Sequence, residues 1–150
     1  MSLKVDIDAD LKQALLSGDK EKATTLRGLK AAILEVEIAS GSREQGLSDE
    51  EVEKVISREI KKRRESVALY EQNDRLELAK IEQAEIEAIS CYLPKQLDES
   101  ELETIIEAEV SSFGAADIKD MGKIIGAVKS KVGNSADGAL VARLVKEKLS

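Results

Sequence analysis

Charged side chains stand inside the apolar stripes of three predicted helices. Val52, Val55, Ile56, Ile60, Val67 and Tyr70 share one face at 100° per residue, and Glu59 and Arg63 fall on that same face. The next helix places Glu82 and Glu85 within the stripe Leu78, Ile81, Ile86, Ile89 and Leu93, and Glu37 interrupts the smaller stripe of Leu26, Leu29 and Ile33. Carboxylates gathered inside a helical bundle can bind two metal ions or supply a general acid and base. They can equally form an internal ion-pair network, here Arg63 shared among Glu59, Glu82 and Glu85. Di-metal bundles of this kind take a Glu-x-x-His pair from each of two helices. The chain has no histidine, and a neighbouring arginine competes with a cation. The ion-pair network is therefore the preferred reading, a device that specifies helix register more than it adds stability. No metal, no cofactor and no catalytic residue is expected.

Basic residues offer a second chemistry, the neutralisation of phosphates. The run Arg58, Lys61, Lys62, Arg63, Arg64 points in several directions around a helix and is bracketed by Glu59 and Glu65, so a solvated face is preferred for it. The stretch "DMGKIIGAVKSKVG", Asp120 to Gly133, is different. Met121, Ile124, Ile125, Val128 and Val132 cluster on one side as a core face. Gly122 and Gly126 project away from it, with Lys119 to one side and Lys129 to the other. Each interior glycine costs a helix about 1 kcal/mol relative to alanine. A surface without side chains, flanked by cations, lets an external backbone come close while its phosphates are neutralised. Alternatively, another helix of the same small domain packs against the glycines. The turn Lys131 to Gly138 follows, a candidate anion contact at a helix N-terminus whose cap position Asp137 would already fill.

These residues need helices to hold them, and the sequence reads as helices nearly throughout. Apolar residues recur at 3.6-residue spacing behind repeated capping signals. The pattern predicts helices from about Lys4 to Leu16, from Asp19 to Ser40, from Ser48 to Gln72 and from Leu76 to Tyr92. The loop Gly41 to Leu47 separates the second and third. Pro94, the only proline, would break a continuing helix and marks a domain boundary. Beyond it come an acidic helix from Asp98 to Phe113, the glycine-containing helix capped by Asp117, and a last helix from Gly138 to Leu149. The expected fold is all-α: an N-terminal bundle of about four helices, residues 1–94, and a small C-terminal three-helix domain, residues 95–150.

A chain of 150 residues with 42% apolar content can bury a core without a staple, and the single Cys91 cannot form an intramolecular disulfide. No apolar run is long enough to span a bilayer, and acidic residues stand near the N-terminus where a signal peptide would be apolar, so a cytoplasmic protein is expected. The net charge of −7 opposes indiscriminate binding to nucleic acid. The average hides an asymmetry: six acidic residues and no basic one between Asp98 and Glu109, then seven Lys/Arg against four Asp/Glu between Asp117 and Ser150. With only Tyr70, Tyr92 and Phe113 as aromatics, a stacking platform for single strands is not expected.

The blocks "RLELAKIEQAEIEAISCYLPKQL" (Arg75 to Leu97) and "DMGKIIGAVKSKVGNSADGALVARLVKEKL" (Asp120 to Leu149) resemble the YqeY family. That family shares a domain with the C-terminal tail of the B subunit of the aspartyl/glutamyl-tRNA amidotransferase, where the tail helps to hold the tRNA. The resemblance implies the two-domain helical fold and places Gly122, Lys123, Gly126, Gly133, Asp137 and Gly138 in a tRNA-facing or partner-facing module. Asn134-Ser135 stands where glycine and a basic residue would be expected. The reading that follows is a non-catalytic accessory protein related to tRNA-dependent amidotransferase, contacting tRNA or other structured RNA through Lys119, Gly122, Lys123, Gly126, Lys129, Lys131, Gly133 and Arg143. A translation-related protein would dock on the bundle, and no membrane contact is expected. One alternative is a component of a carbon-nitrogen ligase that uses glutamine as amido-N-donor on aminoacyl-tRNA, although no amidase nucleophile constellation is present and Cys91 has no histidine as base. Another is a protein-interaction adaptor without an RNA role.

Overall fold

The computed structural model describes residues 2–115 and 117–150, and every regular element among them is helical. The chain is all-α and divides into two compact units, Met1–Leu93 and Pro94–Ser150. The first holds α1 (Leu3–Ser17), α2 (Lys20–Ala39), α3 (Asp49–Gln72) and α4 (Leu76–Ser90), and the second holds α5 (Glu99–Phe113), α6 (Met121–Val132) and α7 (Gly138–Leu149). No helix among the described residues is long and apolar enough to cross a membrane.

Capping chemistry starts the helices where the sequence places it. Ser48 and Glu51 exchange side-chain and backbone hydrogen bonds at the start of α3, and Asp98 and Glu101 do the same for α5. Asp19 and Asp137 accept from the N–H groups of Lys22 and Leu140 to open α2 and α7. Two boundaries differ from expectation. Asp117 bonds the Lys119 N–H and so opens a 3-10 turn, Ile118–Asp120, ahead of α6, rather than capping α6 itself. Helix α4 stops at Ser90: the N–H groups of Tyr92 and Leu93 bond the carbonyls of Ile89 and Ser90 three residues back, a tightened turn leading into Pro94.

In the first unit, α3 pairs with α4 along much of their lengths, and α2 contacts both. The core comprises Ile7, Leu26, Leu29, Ile33, Leu47, Val52, Val55, Ile56, Ile60, Ile86 and Ile89. Ile81, expected in the α4 stripe, is instead 54% exposed. It lines an open groove of about 680 Å³ between α2 and α4 with Thr24, Thr25, Ala84 and Ala88. The Tyr92 hydroxyl donates to Asp10, tying the end of α4 to α1; burial and this bond raise the phenol's pKa well above its ordinary value. In the second unit α5, α6 and α7 pack pairwise around Leu102, Ile106, Ile124, Val128, Val132, Val141, Leu144, Val145 and Leu149.

Candidate functional site

Helix α6 buries Ile124, Val128 and Val132 and half-buries Met121 and Ile125, so its opposite face is fixed by packing. That face carries Gly122, Lys123, Gly126, Lys129 and Ser130, all exposed. Among the described residues, no atom outside the local backbone lies within 4 Å of where a Cβ would sit on Gly122 or Gly126. Of the two explanations open for these glycines, the packing of a helix from the same unit is therefore excluded among the described residues. The glycines face open space.

The cations around them divide into two sets. Lys119 and Lys123 are exposed, and Lys123 Nζ stands 6.0 Å from the centre of the Phe113 ring. Lys129 runs toward the start of α7, with Cε and Nζ each 3.4 Å from the Cβ position of Gly138. None of these three makes a salt bridge to a carboxylate among the described residues. Lys131, by contrast, is ion-paired with the buried Glu109 of α5. Arg143 reaches Glu147 at 3.0 Å and Glu99 at 2.7 Å, and these two carboxylates hold its proton more firmly than usual. Both stabilise the three-helix unit internally, so neither presents an uncompensated charge.

Gly133 closes α6 at φ 53°, a left-handed conformation that a side chain would strain. The turn after it is tied to the start of the unit: Asn134 O accepts from Gln96 Nε2 at 2.9 Å and Ser135 O from the Leu97 N–H at 2.8 Å. Asp137 takes the N-terminal position of α7. This turn is held by its own chain, which leaves the α6 face as the open surface. Phe113, 48% exposed beside Lys123, belongs to it. The sequence gives no sign of this, because Phe113 is the last residue of α5 and its neighbour Lys123 belongs to another helix.

In the first unit, Arg63 Nε lies 3.0 Å from Glu85 Oε2 and its Nη1 lies 3.1 Å from Glu59 Oε2. Glu82 stands next to this group without a direct bond to Arg63 that would hold it ionised; burial, then the charge of Glu85, raise its pKa, against a smaller lowering by Arg63. Four residues singled out by sequence thus meet as a cation bracketed by two carboxylates and overlooked by a third. Among the described residues there is no group of three or more acidic or thiol side chains placed to hold a metal. Replacing Arg63 with Met should cost about 1–3 kcal/mol at neutral pH, because the carboxylates then repel in partial burial. Melting curves of the parent and the variant at pH 7 would show it.

Cys91 is a free, exposed thiol whose Sγ donates to the Ala88 carbonyl at 3.4 Å. Partial desolvation and the Asp10 carboxylate raise its pKa, so it stays protonated and unreactive at neutral pH.

Comparison with known proteins adds the following. A protein of Lachancea thermotolerans named Altered inheritance of mitochondria protein 41, mitochondrial, is 33% identical over 108 residues, covering 72% of this chain and 56% of that protein. The Eremothecium gossypii protein of the same name is 37% identical over 84 residues, 56% of this chain and 45% of its own. In Pyrenophora tritici-repentis the similarity is lower, 24%, but extends over 144 residues, 94% of this chain and 77% of the relative. The chain spans about half the length of the first two relatives. The family model of the Yqey-like protein matches residues 4–149, and the chain belongs to that family.

Proposed function

We propose that the C-terminal unit contacts tRNA or a similarly structured RNA through the exposed face of α6, and that the protein acts as a non-catalytic accessory factor in translation. The observation that carries this reading is the open glycine surface: among the described residues nothing lies within 4 Å of a Cβ placed on Gly122 or Gly126, and Lys119, Lys123 and Lys129 near them make no salt bridge to a carboxylate. Two glycines at an accessible helix face bring a phosphodiester backbone close, and the lysines neutralise it. The resemblance of Asp120 to Leu149 to the tail of the tRNA amidotransferase B subunit supports the choice of RNA. On this reading the N-terminal unit is a platform for a translation-related protein, and the chain works where tRNA is found, in the cytoplasm.

Neutralising both Lys123 and Lys129 with Gln should lower tRNA affinity about tenfold near 0.15 M salt and flatten the dependence of log K on log salt by between one and two units. Equilibrium binding across a salt series checks both. An unchanged slope in the double variant would refute the contact. The exposure of Phe113 and Ile118 favours one second reading, a protein-interaction surface on the same unit. Partner capture that survives nuclease treatment and is lost in Phe113→Ala would select it.

A further inference from the structure

The basic run on α3 acquires a different meaning once its internal ion pairs are drawn. Arg63 turns inward to Glu59 and to Glu85, which removes one cation and one carboxylate of α3 from the surface. What remains exposed between residues 54 and 65 is Lys54, Arg58, Lys61, Lys62 and Arg64, against one exposed carboxylate, Glu65, a turn beyond Lys61. At 100° per residue, Lys54, Arg58 and Lys61 fall within one narrow stripe opposite the buried face of Val52, Val55, Ile56 and Ile60, with Lys62 and Arg64 on its flanks. Lys62 approaches Glu59 only to 3.8 Å, and no salt bridge engages the other four among the described residues. A chain of net charge −7 thus gathers five exposed cations on eleven residues of one helix.

We propose that this face of α3 is a second binding surface, which takes the phosphodiester backbone of RNA through Lys54, Arg58 and Lys61. The seven-residue interval from Lys54 to Lys61 rises about 10 Å along the helix. Over that length the three cations are staggered by about one helical turn each, close enough for successive phosphates of one strand to meet them. Val52, Val55, Ile56 and Ile60 of α3 are spent on the core, and the exposed Leu69 lies two turns beyond Lys61, so between Lys54 and Lys61 the stripe lacks the continuous apolar face that an interfacial helix lays into a lipid boundary. A polyanion in water fits the stripe better than a membrane does. The α3 surface lies on the other unit from the α6 face and stands or falls independently of it.

The test uses the full chain, tRNA and a short RNA duplex across a salt series. Lys54→Gln/Arg58→Gln/Lys61→Gln should bind at least tenfold more weakly near 0.15 M salt, with the log K against log salt slope reduced by about two to three units. Lys54→Arg/Lys61→Arg should bind as the parent does, since charge is what the surface supplies. Exposed substitutions of this kind leave the fold intact, which melting curves of the variants would verify. An unchanged slope in the triple variant overturns the proposal, whatever the α6 double variant does. Loss in the triple variant with none in the α6 double variant supports it and refutes the α6 reading. Loss of binding to phosphatidylserine vesicles with RNA binding unaltered also overturns it, as does an absence of RNA binding by the parent chain at low salt.

Discussion

Replacing Glu37 with Ala should destabilise the N-terminal unit by about 2–3 kcal/mol, a drop of roughly 10 °C or more in melting temperature for a unit of this size. Glu37 is 3% exposed, and its Oε2 accepts from Lys4 Nζ at 2.6 Å and from the Leu47 N–H at 2.9 Å. One carboxylate therefore joins α1, α2 and the end of the Gly41 to Leu47 loop. Leu47 is buried, so removing the acceptor strands its N–H away from water, which accounts for most of the cost. Lys4 keeps access to solvent and contributes less. Gly46 shows how closely the loop is fitted: at φ 75°, a Cβ there would lie 3.3 Å from both the Glu37 carboxylate and the Lys4 ammonium.

The same site makes the unit acid-sensitive. The bond from Lys4 lowers the pKa of Glu37; burial opposes this, and the Leu47 N–H and nearby Arg43 assist it. A depressed carboxylate contributes stability that is complete above the ordinary glutamate value of about 4.3 and is lost as pH falls through the lower folded value. Glu37→Gln should retain an acceptor for Leu47, cost less than Ala at pH 7, and lack this acid-dependent loss. Denaturation curves of the three proteins at pH 7 and pH 3.5 measure the difference. Equal pH sensitivity in parent and Gln variant would place the acid-labile group elsewhere.

Local chemistry was legible in the sequence, and pairing across helices was not. Ser48-x-x-Glu51 and Asp98-x-x-Glu101 announce helix starts because both partners of the capping box lie within four residues. The all-α class follows from the same short-range signals. Helix α4 read two residues too long because Tyr92 and Leu93 keep the apolar period and pack on the core, while the backbone has already tightened ahead of Pro94. Asp117 read as the cap of α6 because its type and position fit, but its side chain bonds two residues on and makes a separate turn. A helical wheel assigned Gly122 and Gly126 to a face without showing what lies opposite. Lys131 read as a free cation because its partner, Glu109, is distant in sequence and arrives only when α5 packs; Arg143 gains Glu99 in the same way, although its other partner, Glu147, stands one turn on in the same helix. Conversely Glu37, noted only as an interruption in an apolar stripe, proves to organise a loop whose contact residue is ten positions on.

Substituting both α6 glycines should strengthen the fold and weaken the function, and that opposition of signs makes the experiment decisive. Both glycines lie in helical backbone with open space beyond, so Gly122→Ala/Gly126→Ala should stabilise the C-terminal unit by about 1–2 kcal/mol through helix propensity and reduced unfolded-state entropy. No packing within the unit calls for the two glycines among the described residues, and the proposed RNA contact is what gives their bare surface a use. Gly122→Gln/Gly126→Gln should keep most of the stabilisation, because glutamine is a good helix former. It adds no charge, so the electrostatic attraction of Lys119, Lys123 and Lys129 is preserved. If an RNA backbone closes onto the glycines, the alanine pair should weaken binding about tenfold and the glutamine pair about a hundredfold, some 1.4 and 2.8 kcal/mol, with the salt slope little altered. The lysine variants should do the reverse, flattening the slope without stabilising the unit. A glutamine pair that melts higher and binds RNA as tightly as the parent chain would show that the glycine face is not the contact surface.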